Sequence, residues 1–523
     1  MTAKDRLPEG IRRPLRTTRA SVRSVVHAAG QPVLTARLLI GPNLRHAESA
    51  VWRRLLVDGI VAVALVVIGA VSAIATATWW VAAVVPLAFL ASAARRLWNA
   101  RPWRGVGQGL PPGRLDRGAG WITSPNWFAE RAAAHGTVFK SNFYDAPTIC
   151  TTDLALGTRL LREHPTELGP PWAPYDRFVP GGSVRGAEGE RHAELRRIYA
   201  RALSPPVVKS WEPLLAAHAR VCLDGLVDEC AASGTVNPRE AVRRCVVESW
   251  CAVLLGIPPS VPAFAEVREL FDRLDPDRHF YAEPFPDDDV EVWLARIGQL
   301  VVEGARRPDA PHSLARQFDG AEHALDDPAV LRNVIYSVVT SRDDVAGLLV
   351  WVLWYLAADP QWSRALRDAS GETGPDREAL ADRIVSETIR LEQSEFLMRR
   401  AHVEFEHEGV TVPADWYVRV CIREIHRDPA TFPEPERFDP ARHADGGCGR
   451  DVYSPFGVDH RACLGELLTR TFAREFAFRA TDYDLVTRAD GPVELSRQRH
   501  WSPSSRWRLE VVAGATSGLP GTS

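Results

Sequence analysis

Cys463 is the residue of this chain best placed to do chemistry. It lies in SPFGVDHRACLGE, residues 454–466, and is followed by LLTRTFAREFAFRATDYDL, whose apolar residues recur at helical spacing. A cysteine at a helix start feels the partial positive charge of the helix end. Backbone N–H groups aimed at sulfur add to it, and both favour the thiolate that binds metal. Gly457 and Gly465 would let the backbone approach a flat cofactor closely. Taken alone, such a cysteine is more often a buried thiol.

Four further groups of charged residues have helical spacing or sit in apolar surroundings. In DREALADRIVSETIRLEQ, Glu387 and Arg390 are three apart and share a helix face; in GERHAELRRIYARALSP, His192 and Arg196 are four apart. Arg399 and Arg400 follow the first of these segments. Residues 330–358 form a long apolar helix pattern whose only charges are Arg332 near its start and Arg342, Asp343 and Asp344 in its middle. Charges buried there are costly unless paired or used, so Arg342 either pairs with an aspartate or holds a substrate carboxylate.

The run from Phe456 to Gly465, with Phe seven before the cysteine, Arg two before it and Gly two after, resembles the cysteine loop of the cytochrome P450 family. The resemblance implies that Cys463 gives a thiolate to the iron of haem b, that Phe456 packs on the sulfur side and that Arg461 pairs with a haem propionate. His192 with Arg196 is similar to the family's propionate-binding helix, and Arg399 to its second propionate arginine. Glu387 and Arg390 resemble its E-x-x-R pair, which Arg437, in Pro435-Glu436-Arg437-Phe438, is expected to complete as a buried structural triad. Asp459 departs from the pattern, standing where the family has Gly; if that position needs positive φ, Asp tolerates it at some cost.

On the distal side the pattern breaks. Counting back from Asp359-Pro360 puts Asp343 on the family's acid and Asp344 on its threonine, with Thr340 and Ser341 on its small-residue pair. Asp343, Asp344 and Thr340 are therefore the candidate catalytic residues. The implied reaction is oxidation of an apolar small molecule, such as a secondary metabolite or lipid, with O2. Electrons would come from a separate donor, either ferredoxin with its reductase or a flavoprotein, since no Gly-rich dinucleotide motif follows. The absent threonine keeps two alternatives open: a peroxygenase or non-redox rearrangement or dehydration enzyme, and a non-catalytic haem-binding protein.

The elements that must position these residues read as mainly α with a small β region (α+β), the cytochrome P450 fold. Helical patterns cover residues 210–256, 330–358, 377–393 and 463–480, and short alternating runs at 403–412 and 417–422 read as strands. With 523 residues, 46% hydrophobic and 25% charged, core size is not limiting. A net charge of −3 gives nucleic acid no basic face to bind. The eight cysteines show no C-x-x-C spacing, which disfavours a zinc ribbon and fits a reduced compartment. Lys4, Lys140 and Lys209 are the only lysines, an arginine-biased usage expected of a bacterial source.

Ahead of the catalytic body, expected over 115–512, lies a different kind of sequence. Residues 1–58 carry eleven Arg or Lys against four Asp or Glu, a cationic arm suited to an anionic lipid surface. Residues 59–94 contain no charged side chain. As one helix they would extend about 54 Å, beyond the roughly 30 Å of hydrocarbon, so a break at Thr76-Ala77-Thr78-Trp79-Trp80 is expected, giving a helical hairpin. Arginines on both flanks place both ends in the cytoplasm. Residues 95–114 read as a Pro/Gly linker and 513–523 as a flexible tail.

Overall fold

The computed structural model describes residues 109–115, 124–143, 146–171, 176, 178–274, 288–320, 324–369, 375–393, 396–444, 448–495 and 500–514. The cationic arm, the uncharged segment, most of the linker and most of the tail lie outside them. The chain divides into a unit made of Met1–Trp127 and Lys140–Thr148 and a larger one made of Phe128–Phe139 and Ile149–Ser523. In the first, Lys140 donates its backbone N–H to Pro112 O and its Nζ to Pro111 O. All the candidate site residues belong to the second.

The axis of that larger unit is the helix Pro328–Ala358. It starts where the sequence supplies a stop and a cap: the Asp327 carboxylate accepts from Ala329 N–H at 2.8 Å and Pro328 occupies the first turn. It ends where Asp359-Pro360 cannot continue it. Thirty-one residues give a rod of about 46 Å, apolar on nearly every side (Val334, Ile335, Val338, Leu349 and Leu353 are fully buried) and hence enclosed by other helices. Arg239–Val253, Pro375–Glu392 and Glu466–Ala480 pack against it. The helical pattern at 210–256 is two helices, Pro205–Ser233 and Arg239–Val253, parted at Gly234, whose φ of 80° ends the first.

The sheet portion is small. Leu397–Ala401 pairs antiparallel with Tyr417–Val420, Arg399 opposite Val418, while Phe405–His407 and Val410–Val412 form a hairpin and Tyr483–Ala489 pairs with Arg508–Ala513. The strand carrying Arg399 is not visible as an alternating run because its burial is intermediate on both faces. Among the described residues no helix is long and apolar enough to cross a membrane.

Candidate active site around Cys463

The cysteine loop is closed by its own backbone. Cys463 N–H donates to Phe456 O at 2.7 Å and Ala462 N–H to Asp459 O at 3.0 Å. This requires left-handed backbone at two positions, Gly457 with φ 84° and Asp459 with φ 55°. Asp459 thus adopts the conformation for which glycine is suited, and its carboxylate is held there by Arg162 through two hydrogen bonds of 2.8 and 3.2 Å. Phe456 packs partly buried against the core with the Arg470 guanidinium 5.0 Å from its ring centroid.

Cys463 is exposed, yet burial pushes its thiol up to about 11, against the Gly465 N–H that points at sulfur. The sulfur is thus open on one side and set among protein atoms on the others. The helix start that follows, Glu466–Ala480, does not overcome that burial in the protein alone, and Asp344 and Glu466 raise the thiol further. Coordination to a metal cation would remove the proton.

Near the sulfur, cations converge with little acid to balance them, Glu188 acting on Arg461 from beyond ion-pair distance. Arg196 donates to Ala462 O at 2.8 Å, Arg461 to Arg185 O and Ala187 O at 3.0 and 2.9 Å, and Arg399 to Met398 O at 2.8 Å. None of the three has an acidic partner within ion-pair distance among the described residues. The strain is electrostatic: burial, with Arg461 and Arg185 nearby, lowers Arg399 to about 10, and burial with Arg461 and Arg196 lowers His192 to about 4. Half-buried guanidiniums that face carbonyls and have no acid in ion-pair contact suit an anion. Two propionates and an iron-binding sulfur are what this donor set fits, so the residues present suit haem b. Arg400, by contrast, is a surface residue paired with Asp415 at 2.6 Å.

The scaffold pair behaves as expected, and its third partner does not. Arg390 and Glu387, both fully buried, form a two-pronged ion pair of 2.8 Å. Arg437 does not complete it: its side chain is 60% exposed and reaches Glu434 at 3.0 Å, the turn at Glu434 (φ 48°) turning it outward. The places are taken by Arg442 and His443, on the 3-10 turn Pro440–His443 that packs on this helix, at 2.9 and 3.0 Å from Glu387. Burial would raise Glu387, but Arg390 and His443 hold it down at about 2. The sequence clue to Arg442 was the proline-opened segment Phe438-Asp439-Pro440-Ala441-Arg442.

On the distal helix, Thr340 and Asp344 are the exposed residues between Ala329 and Ala357, one turn apart on one face. Asp343 faces elsewhere. It is bound by Arg342 at 2.9 Å and Arg243 at 3.0 Å, and Arg342, fully buried, also donates to Phe271 O and Leu274 O at the end of helix Ala263–Arg273. Arg342 is therefore committed to structure and is not available to a substrate carboxylate. The Asp344 carboxylate meets His500 at 2.8 Å, a residue that no local pattern singled out. Ser341 is spent on the Ser337 carbonyl.

A family model described as Cytochrome P450 matches residues 306–474, which include the distal helix, the Glu387–Arg390 pair and the cysteine loop. Abscisic acid 8'-hydroxylase 1 of Oryza sativa subsp. japonica is 24% identical over 395 residues, covering 69% of this chain and 82% of the rice protein. The Arabidopsis thaliana abscisic acid 8'-hydroxylase 1 is 23% identical over 399 residues, with the same coverage of 69% and 82%. Among solved structures, a retinoic acid-bound cyanobacterial CYP120A1 is similar in fold, with a TM-score of 0.67 over 78% of this chain and 100% of that one, at 18% identity.

Proposed function

We propose that this chain, a cytochrome P450-type monooxygenase by its likeness to that family, hydroxylates or otherwise oxidatively tailors an apolar small molecule, with O2 and electrons from a separate ferredoxin-type or flavoprotein donor. The observation that carries this reading is the placement of Cys463 near Arg196, Arg399 and Arg461, none of them ion-paired among the described residues, with Asp344 close enough to raise its thiol. Haem bound there would supply the activation of O2, which thiolate ligation favours. The protein's own residues supply the rest. Arg196, Arg399, Arg461 and His192 hold the propionate edge, the Phe456–Cys463 loop fixes the sulfur, and the Thr340–Asp344 face lines the opposite wall.

The substrate class draws support from the relatives, whose names speak of abscisic acid and of bound retinoic acid, both carboxylic acids. Spectral shifts of the ferric holoenzyme across a library of apolar acids, alcohols and hydrocarbons would identify it. Turnover with O2 and a reconstituted electron donor supports the monooxygenase reading. Turnover with peroxide alone supports instead the peroxygenase reading that Asp344, in the place of threonine, favours.

The uncharged segment at residues 59–94 supports attachment to a membrane as a hairpin, with the catalytic body on the cytoplasmic side. Full-length protein in the membrane fraction, released only by detergent, is the expected result; recovery in the supernatant after mild lysis would overturn it.

A further inference from the structure

His500 Nε2 lies 2.8 Å from Asp344 Oδ1, joining the distal helix to the residue just ahead of strand Trp501–Ser502. The geometry is fixed by more than the ion pair. The next residue, Trp501, accepts the indole N–H of Trp351 through its carbonyl at 3.0 Å; both rings are buried, so the chain carrying His500 is tied to the same helix about two turns beyond Asp344. Ser502 Oγ accepts from Arg239 at 2.6 Å, which secures the strand on its other side. The Asp344 side chain is 54% exposed and His500 28% exposed, on a helix whose interior is otherwise covered except at Thr340. Asp344 is also close enough to Cys463 for its charge to raise the thiol, so the open face of the pair lies toward the sulfur. Asp343, the other carboxylate, is closed off by Arg342 and Arg243.

We propose that His500 is a positioning residue for the reaction, acting through Asp344: it aims the carboxylate into the space opposite Cys463 and resupplies it with protons, so that an acid–imidazole pair stands in for the missing hydroxyl. This rests on the monooxygenase reading. In that reaction a substrate C–H, O2, two electrons from the redox partner and two protons give a C–OH and water. For each proton, protonated His500 passes its Nε2–H to the Asp344 carboxylate, Asp344 hands it to a water on its open side, and His500 regains one from solvent.

The test uses ferric holoenzyme with azide, an anion, and imidazole, a neutral ligand, so that it does not depend on turnover. In Asp344→Asn azide affinity rises, and in His500→Gln, where the carboxylate loses its counter-charge, it falls, each by roughly threefold or more, while imidazole affinity stays put. The double variant behaves as Asp344→Asn. In turnover, His500→Gln lowers product formed per electron consumed by about tenfold with little change in KM, and the loss vanishes in the Asp344→Asn background. Unchanged azide affinity in Asp344→Asn, or a His500→Gln effect that persists undiminished in that background, overturns the proposal. Should His500→Gln fail to retain haem, His500→Asn and the Asp344→Asn measurement decide it. If wild type shows no O2-dependent turnover at all, the monooxygenase reading falls, and the azide comparison still judges the pair.

Discussion

Arg442 Nε stands 2.9 Å from Oε1 of Glu387, a carboxylate with no exposure to solvent that is also held by Arg390 at 2.8 Å and His443 at 3.0 Å. The network joins the helix Pro375–Glu392 to the segment leading into the cysteine loop, so the sulfur's position depends on it. Without Arg442 the carboxylate keeps Arg390 and His443 and loses one charge-assisted hydrogen bond. Arg442→Ala is therefore expected to cost about 1.5–3 kcal/mol. Arg437→Ala, at an exposed side chain, should stay within about 0.5 kcal/mol. Urea denaturation midpoints of the two variants check the difference.

The stability of the fold depends on pH through buried histidine. Burial, with Arg390 and Arg427 nearby, lowers His426 to about 3, where its Nε2 accepts the Ser454 N–H at 3.2 Å. Between the ordinary histidine value and about 3 the unfolded chain binds the extra proton, so stability falls as pH falls through that window. The slope is at most about 1.4 kcal/mol per pH unit for that proton. Glu387 is different: its contribution is complete above the ordinary carboxyl value and is lost only as pH drops toward about 2. Denaturation midpoints should fall from pH 7 to pH 5, and His426→Gln should flatten the decline.

Arg399 should trade haem retention against the stability of the haem-free protein. Its half-buried guanidinium is lowered to about 10 by desolvation, with Arg461 and Arg185 nearby. Arg399→Gln relieves this repulsion and makes the haem-free protein more resistant to urea. It also removes a charged hydrogen bond to a propionate, so haem should transfer to a competing apoprotein about tenfold faster. Slower transfer, or a less stable haem-free protein, would count against a propionate site.

Asp459 carries a local conformational cost with a local compensation. Its φ of 55° favours Gly, while its carboxylate is paired with Arg162 on the surface. Asp459→Gly removes both, and stability should move by less than about 1 kcal/mol. Asp459→Ala keeps the strain without the pair and should be the less stable of the two in thermal denaturation.

What the sequence disclosed follows how local each feature is. The Phe456–Gly465 loop, the Glu387–Arg390 pair and the His192–Arg196 spacing are each set within a turn or two; the ion pair forms as expected, and His192 and Arg196 share one helix. Asp459 was legible too, because the loop demands a left-handed residue at a known offset from Cys463. Arg437 was misassigned because which of two nearby arginines turns inward depends on a turn at Glu434 and on the Pro440 turn, and spacing cannot choose between them. The pairing of Asp344 with His500, and of Asp343 with Arg243, joins residues far apart in the chain; only packing against the central helix reveals it.

The central claim is that Cys463 is the thiolate ligand of a haem. It is tested most directly by the difference spectrum of the reduced protein with and without carbon monoxide. The structure predicts the long-wavelength Soret band given by a thiolate opposite carbon monoxide, and its loss in a folded Cys463→Ser variant. A histidine-type band in the wild type, or a spectrum unchanged by Cys463→Ser, would contradict it.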